Sequence, residues 1–300
     1  MISFGWGEFY ALASAICWAS AVILYKAAGD SLSAHSLNLA KNIVGVSLLI
    51  PTAMIIHGLV LPDLSTSEWL ILMASGYFGI AIADTWYIKA LRVLGAGRIA
   101  IVASLYSPFV VLLSILFLGE VLVAWQWVGF LMVLCGITIV VYQRHYSQVD
   151  RNLLYRGLGL AAMSVFLTAA GVVAMKPILD NSGFFWLVAL RLLAGTIGMF
   201  VAIAIQRQWK PFIAEVTKAQ HPWHIILPAG IVGTYLALIF WLAGFKYTDA
   251  TTASVLNETS SVFIVLMAWL FLKEQLSARK IVGVSLTFLG VMVFLGIFTI

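Results

Sequence analysis

Four charged residues, Lys41, Asp84, Arg191 and Glu258, stand inside stretches that are otherwise apolar. A charge deep in a bilayer-spanning helix costs about 2.5–3.5 kcal/mol on insertion scales, so each requires a partner or a task. The guanidinium of Arg191 is a planar fork suited to a carboxylate, whereas Lys41 supplies a point charge. Asp84 and Glu258 are carboxyls whose hold on a proton depends on burial and neighbouring cations, the property a proton-coupled site uses. Two cations and two acids in one pocket fit a zwitterion such as an amino acid, bound by Arg191 and Lys41, with the coupling proton on Glu258 or Asp84. A second arrangement uses the same residues as structural ion pairs, Lys41 with Asp84 and Arg191 with Glu258. Asp84, the deeper acid, is expected to compensate Lys41. Glu258, beside Asn257 and one turn before Ser261, is expected to meet solute or proton.

Polar and aromatic residues share helical faces with these charges. Asn38, Lys41, Asn42 and Gly45 form one stripe, which must face protein or water rather than lipid. Ser14, Trp18, Ala21 and Tyr25 form another; Asp84 and Tyr87 lie together, and Trp241 occupies the position matching Tyr87 in a later segment. Pro108, after Tyr106 and Ser107, should open its helix where freed carbonyls can line a cavity. The expected solute-binding set is therefore Arg191, Lys41, Asn38, Asn42, Trp18, Tyr87, Tyr106, Trp241, Asn257 and Ser261. Aromatic walls with a few placed polar groups suit a small amphipathic solute. No metal-binding or cofactor-binding pattern is present. Paired intramembrane aspartates, mid-span histidines, H-E-x-x-H, G-x-S-x-G and P-loop patterns are all lacking, so an enzyme is not expected.

These residues need elements to carry them. With 63% hydrophobic and 10% charged residues, the chain has too little polar surface to coat a water-soluble globule. About 20 apolar residues cross the hydrocarbon as a helix. Ten stretches qualify: Gly5 to Lys26, His35 to Ile56, Trp69 to Leu91, Arg98 to Leu118, Trp125 to Tyr142, Tyr155 to Lys176, Phe184 to Gln206, His224 to Lys246, Thr251 to Leu272 and Ala278 to Phe298. Their continuous apolarity argues for helices over alternating barrel strands. Glu8 stands where a removable signal peptide would carry basic residues, and no small-residue cleavage site follows. Cys17 and Cys135 are expected to be buried thiols. Trp6, Trp69, Trp125, Trp127, Trp209 and Trp223, near helix ends, read as an interfacial belt.

The chain is written twice. Glu120, Gly129 and Gly136 recur at a constant offset of 154 as Glu274, Gly283 and Gly290, and Gly76, Gly79, Ala83 and Ala96 recur as Gly230, Gly233, Ala237 and Ala250. At an offset of 150, Ser14, Val22, Lys26, Lys41 and Gly45 find Ser164, Val172, Lys176, Arg191 and Gly195. The expected fold is an all-α membrane protein of ten transmembrane helices in two five-helix repeats, residues 1–150 and 151–300. An odd number of crossings per repeat inverts the second copy, a plan that places a shared cavity at the midplane. Glu120 and Glu274 each end one helix shortly before the next begins, where a carboxylate can accept bonds from free backbone N–H groups.

The repeat, the Trp-Ala-Ser at Trp18 to Ser20, and the Leu-Gly-Glu and Leu-Lys-Glu ending at Glu120 and Glu274 resemble the EamA branch of the drug/metabolite transporter superfamily. That resemblance covers essentially the whole chain. It implies a ten-helix carrier of small organic metabolites, such as amino acids, working by alternating access. A phosphorylated or nucleotide-linked solute, or a non-transporting scaffold, is the alternative.

Basic residues set the orientation. Lys26, Lys89, Arg92, Arg98, Arg144, Arg151, Arg156, Arg207, Lys210, Lys218, Lys273, Arg279 and Lys280 fall on odd-numbered connections, against Lys176 and Lys246 on even-numbered ones. The positive-inside rule then places both termini outside, in the cytoplasmic membrane of a bacterium or archaeon. The net charge of +5 reflects these loops and gives no reason to invoke nucleic acid. The expected partners are a small-molecule solute and the lipid bilayer, with the chain acting as a monomer or homodimer.

Overall fold

The computed structural model describes residues 5–28, 32–141, 151–180, 183–207, 209–217, 221–273 and 277–297. Among them every regular element is helical: α1 (Trp6–Ala28), α2 (Ala34–His57), α3 (Thr66–Gly76), α4 (Asp84–Ala103), α5 (Tyr106–Leu118), α6 (Ala124–Val141), α7 (Arg151–Leu179), α8 (Phe184–Ile205), α9 (Trp209–Val216), α10 (Trp223–Gly230), α11 (Ala237–Tyr247), α12 (Ala250–Asn257), α13 (Ser260–Leu272) and α14 (Ala278–Phe294). Seven spans among the described residues are long and apolar enough to cross a membrane, and two shorter apolar helices cover Tyr106–Leu118 and Ala124–Ile139. The chain is an integral membrane protein.

Local chemistry opens several helices. Ser33 accepts from Ser36 N at the start of α2, Ser277 accepts from Lys280 N at the start of α14, and Ser65 with Glu68 forms a capping box on α3. The connection expected between Leu91 and Arg98 is instead helical, inside α4. No proline stands between Asp84 and Leu105 to remove a backbone donor there. The expected stretch from Arg98 to Leu118 breaks at Ser104 and Leu105, and that from Thr251 to Leu272 breaks at Glu258 and Thr259. These breaks are equivalent in the two copies. Pro108 sits in the first turn of α5, where its missing N–H costs no helical bond.

Two π-helical segments, Tyr77–Ala83 and Ile231–Leu236, join α3 to α4 and α10 to α11. They begin at equivalent positions, and the wider π turn re-aims the backbone groups around it. Reciprocal bonds cross between the copies here. Ser14 Oγ on α1 donates to Ala237 O at 3.2 Å, and Ser164 Oγ on α7 donates to Ala83 O at 2.7 Å.

One core lies among α2, α3, α5, α7, α8, α11 and α12, with Leu187, Leu179 and Phe245 fully buried. Another joins α6 and α14 to the start of α1. Glycines close the α6–α14 seam: a Cβ on Gly129 would come within 2.6 Å of Gly290 O, and one on Gly136 within 2.7 Å of Gly283 O. Gly129 thus meets the mate of Gly136, and Gly136 the mate of Gly129. Such pairing is isologous, and it makes the two helices antiparallel.

The outside is apolar. Ile55, Phe117 and Ile205 are 83%, 74% and 77% exposed, an outer surface suited to acyl chains. Cys135 lies on this outer surface and Cys17 is half-buried, which corrects the expectation of buried thiols. In an apolar solvent a weakly polar thiol gains little by burial. Of the six tryptophans expected in an interfacial belt, Trp6, Trp125, Trp127 and Trp209 are exposed, whereas Trp69 and Trp223 are half-buried.

Candidate functional site

A cavity of about 330 Å³ lies between the copies. From the first, Trp18 on α1, Lys41 and Asn42 on α2, and Asp84 and Tyr87 on α4 line it, joined by Tyr106 on α5. From the second come Arg191 on α8, Trp241 on α11, Asn257 at the end of α12, Glu258 in the break and Ser261 on α13. Eleven of the twelve residues expected to bind solute or proton therefore share one space.

Asn38, the twelfth, stands behind this wall. It is fully buried and donates through Nδ2 to Ile80 O and Thr85 Oγ1, tying α2 to the π segment and α4. Its amide is thereby committed, leaving Oδ1 to accept from Asn42 Nδ2 at 3.4 Å. Among the described residues Asn42 Oδ1 then has no hydrogen-bond partner and remains an acceptor on a cavity-lining side chain.

The charges are arranged unevenly. Lys41 Nζ lies 2.7 Å from Asp84 Oδ2, so this pair is formed, and the Asp84 side chain keeps 33% of its exposure beside the cavity. Arg191 does not pair with Glu258 among the described residues. Its Nε donates to Ser75 Oγ at 2.8 Å, while Ser75 Oγ donates to Gly171 O at 2.9 Å, so the hydroxyl is a fixed bracket between α7 and the guanidinium. The guanidinium carbon sits 5.1 Å from the centre of the Trp241 ring, within cation–π range. Trp241 Nε1 donates to the Tyr106 hydroxyl at 3.2 Å, which fixes the ring in turn. Gly79 leaves room for this arrangement, since a Cβ there would lie 3.0 Å from an Arg191 terminal nitrogen. The outcome is a residue only 1% exposed that lines the cavity, with no carboxylate bonded to its guanidinium among the described residues.

Glu258 is held differently. Its Oε1 accepts from Ser107 N at 3.1 Å, in the first turn of α5. The half-helix N-terminus from one copy thus receives the carboxylate in the helix break of the other, as its free N–H groups and dipole favour. Ser107 and Ser254 hydroxyls meet beside it at 3.3 Å.

Two groups of cavity residues carried no charge signal in the sequence. Ser14 and Ser164 were recognisable as repeat mates, but their carbonyl partners depend on the π segments, for which no residue pattern was visible. Thr234, in the second π segment, also lines the cavity.

The profile of the EamA-like transporter family matches residues 5–142 and again 155–296. The chain belongs to this family. Several of its relatives are transporters or exporters by name. A relative in Pseudomonas aeruginosa, the pseudopaline exporter CntI, is 27% identical over 71% of this chain and 70% of its own length. An uncharacterized transporter of Archaeoglobus fulgidus is 22% identical over 95% of this chain and 96% of its own. Protein PecM of Dickeya dadantii is 27% identical over 65% of this chain and 63% of its own. A solved crystal structure, 17% identical and covering 96% of this chain and 95% of its own, matches with a TM-score of 0.77, which shows that the fold has been seen before. The two EamA matches bracket the repeat, and neither passes through residues 143–154.

Proposed function

We propose that this EamA-family transporter is a secondary carrier of a small zwitterionic metabolite, most simply an amino acid. Ten transmembrane helices form two inverted five-helix halves, residues 1–150 and 151–300, that rock around the shared cavity. The isologous α6–α14 seam and the reciprocal Ser14 and Ser164 bonds support inversion, because each pairs a residue with the mate of its partner.

The observation that carries the solute reading is Arg191: a buried guanidinium, pinned by Ser75 and Trp241, that lines a cavity and has no bonded carboxylate among the described residues. A buried charge needs compensation, and a solute carboxylate supplies it with two parallel hydrogen bonds. The solute ammonium is then received by Glu258, with Asn42 Oδ1 as a further acceptor. Lys41 and Asp84 neutralise one another and set the polarity of the facing wall. Glu258 or Asp84 carries the coupling proton. Both termini face outward in a bacterial or archaeal cytoplasmic membrane, and the relative named as an exporter makes efflux the direction to test first.

The test is uptake of a labelled amino-acid mixture into proteoliposomes under an imposed pH gradient. Glu258→Gln or Asp84→Asn is expected to abolish the gradient-driven component. If neither substitution alters it, neither acid couples protons.

A further inference from the structure

The elbow between α11 and α12, Thr248 and Asp249, is gripped from three directions. Glu8 of α1 accepts from Thr248 Oγ1 at 2.6 Å. Lys176 of α7 donates to Phe245 O at 2.8 Å and Thr248 O at 2.5 Å. Glu120, following α5, accepts from Ala250 N at 2.7 Å and Thr251 N at 2.9 Å. Gly7 lies so near that a Cβ there would come 2.5 Å from Thr248 Cβ. Two of the grips, those of Glu8 and Glu120, cross from the first half to the second.

The Glu120 grip differs from the sequence expectation, in which this acid caps the helix following it. Gly119 has φ 68°, the left-handed turn that ends α5, and the Glu120 carboxylate reaches the N-terminus of α12 in the other half. Asp249, at the N-cap of α12, makes no side-chain cap bond, so Glu120 supplies the cap from outside. A helix of α12's length is about 12 Å long. Its far end carries Asn257 and Glu258 into the cavity.

We propose that Glu120 is a positioning residue: by capping α12 across the halves it sets where Glu258 meets the solute and seals this end of the cavity, and the cap is released once per transport cycle. The role rests on the reading of Glu258 as part of the solute site. The cap lies between the spans, where water can replace the broken bonds, so release costs only their net strength. α12 then moves as a short rod with Glu258 at its inner end.

The experiment uses the full chain in nanodiscs with Cys17→Ser and Cys135→Ser, and it reads labelling of a Ser254→Cys thiol by a membrane-impermeant maleimide. Ser254 is fully buried on α12 between the cap and the cavity. Glu120→Gln is expected to raise the labelling rate about tenfold, the effect of weakening charge-assisted bonds. Glu120→Asp, which keeps the charge, should restore part of the protection. An Ala161→Cys thiol, equally buried between α4 and α7 in a cluster that holds no α12 residue, should not respond. Unchanged labelling in folded Glu120→Gln overturns the proposal, and so does an equal rise at Ala161→Cys, which would mark general loosening. Labelling requires no solute, so a positive result alongside absent amino-acid uptake rejects the solute reading while retaining the cap.

Discussion

Replacing Arg191 by lysine keeps a positive charge in the cavity and removes the fork. In the native protein Nε is used by Ser75 at 2.8 Å and the planar group lies 5.1 Å from the Trp241 ring centre, leaving the terminal nitrogens for a ligand. Lysine has no second nitrogen to hold Ser75 while bonding a carboxylate, and it stacks poorly on an indole. One charge-assisted bond to the solute is lost, about 1.5–3 kcal/mol, which weakens binding by about 10- to 100-fold. Arg191→Ala leaves the solute carboxylate with no cation at this wall, so its loss should exceed that of lysine. Equilibrium binding of labelled amino acids to purified protein in nanodiscs, with folding checked by thermal unfolding, measures both. Parent-like affinity in Arg191→Lys would refute the two-bond contact, and parent-like affinity in Arg191→Ala would remove this residue from the site.

Three further outcomes are expected. Gly136→Ala drives a Cβ to 2.3 Å from Thr287 Oγ1 and 2.7 Å from Gly283 O, so it should destabilise the protein by about 1–3 kcal/mol in detergent unfolding. Lys273 has φ 55° at the position equivalent to Gly119, and Lys273→Gly should relieve about 1 kcal/mol of left-handed strain in the same assay. Burial raises the Asp249 pKa above its ordinary value, nearby Glu120 and Glu8 push the same way, and Lys176 opposes them. The folded protein therefore favours the neutral carboxyl: this contribution is full below the unfolded value and fades as pH rises through the folded one, so Asp249→Asn should flatten the acid side of the melting temperature against pH.

The repeat and the membrane class were legible because both are written in residue types: offsets of 154 in glycines and acids, and long apolar runs. The site was legible where a charge stood in such a run. Lys41 and Asp84 are paired as one arrangement foresaw, whereas Arg191 and Glu258 are not, because Ser75 and the α5 N-terminus take them up first. Those partners could not be read in advance. Ser75 is an ordinary small residue, and the N–H at Ser107 is available only because the helix breaks at Ser104 and Leu105. Asn38 sat on the right stripe but one layer too deep, since a stripe in sequence does not distinguish a cavity from the helix packed beside it. The π segments were invisible for a similar reason. No residue type compels their extra width.

The α6–α14 seam makes the two copies structurally answerable to one another. Because Gly129 touches Gly290 and Gly136 touches Gly283, a bulky substitution in either copy wedges a surface built by both. Each seam glycine therefore has a partner in the duplicate sequence with which it must change in concert, and drift in one copy alone is penalised. Divergence is freer around the cavity, where Asp84 has become Leu238 in the other copy and Glu258 stands opposite Ser104. A fused pair of bundles can in this way keep a common spine while the two walls of its chamber acquire different chemistry.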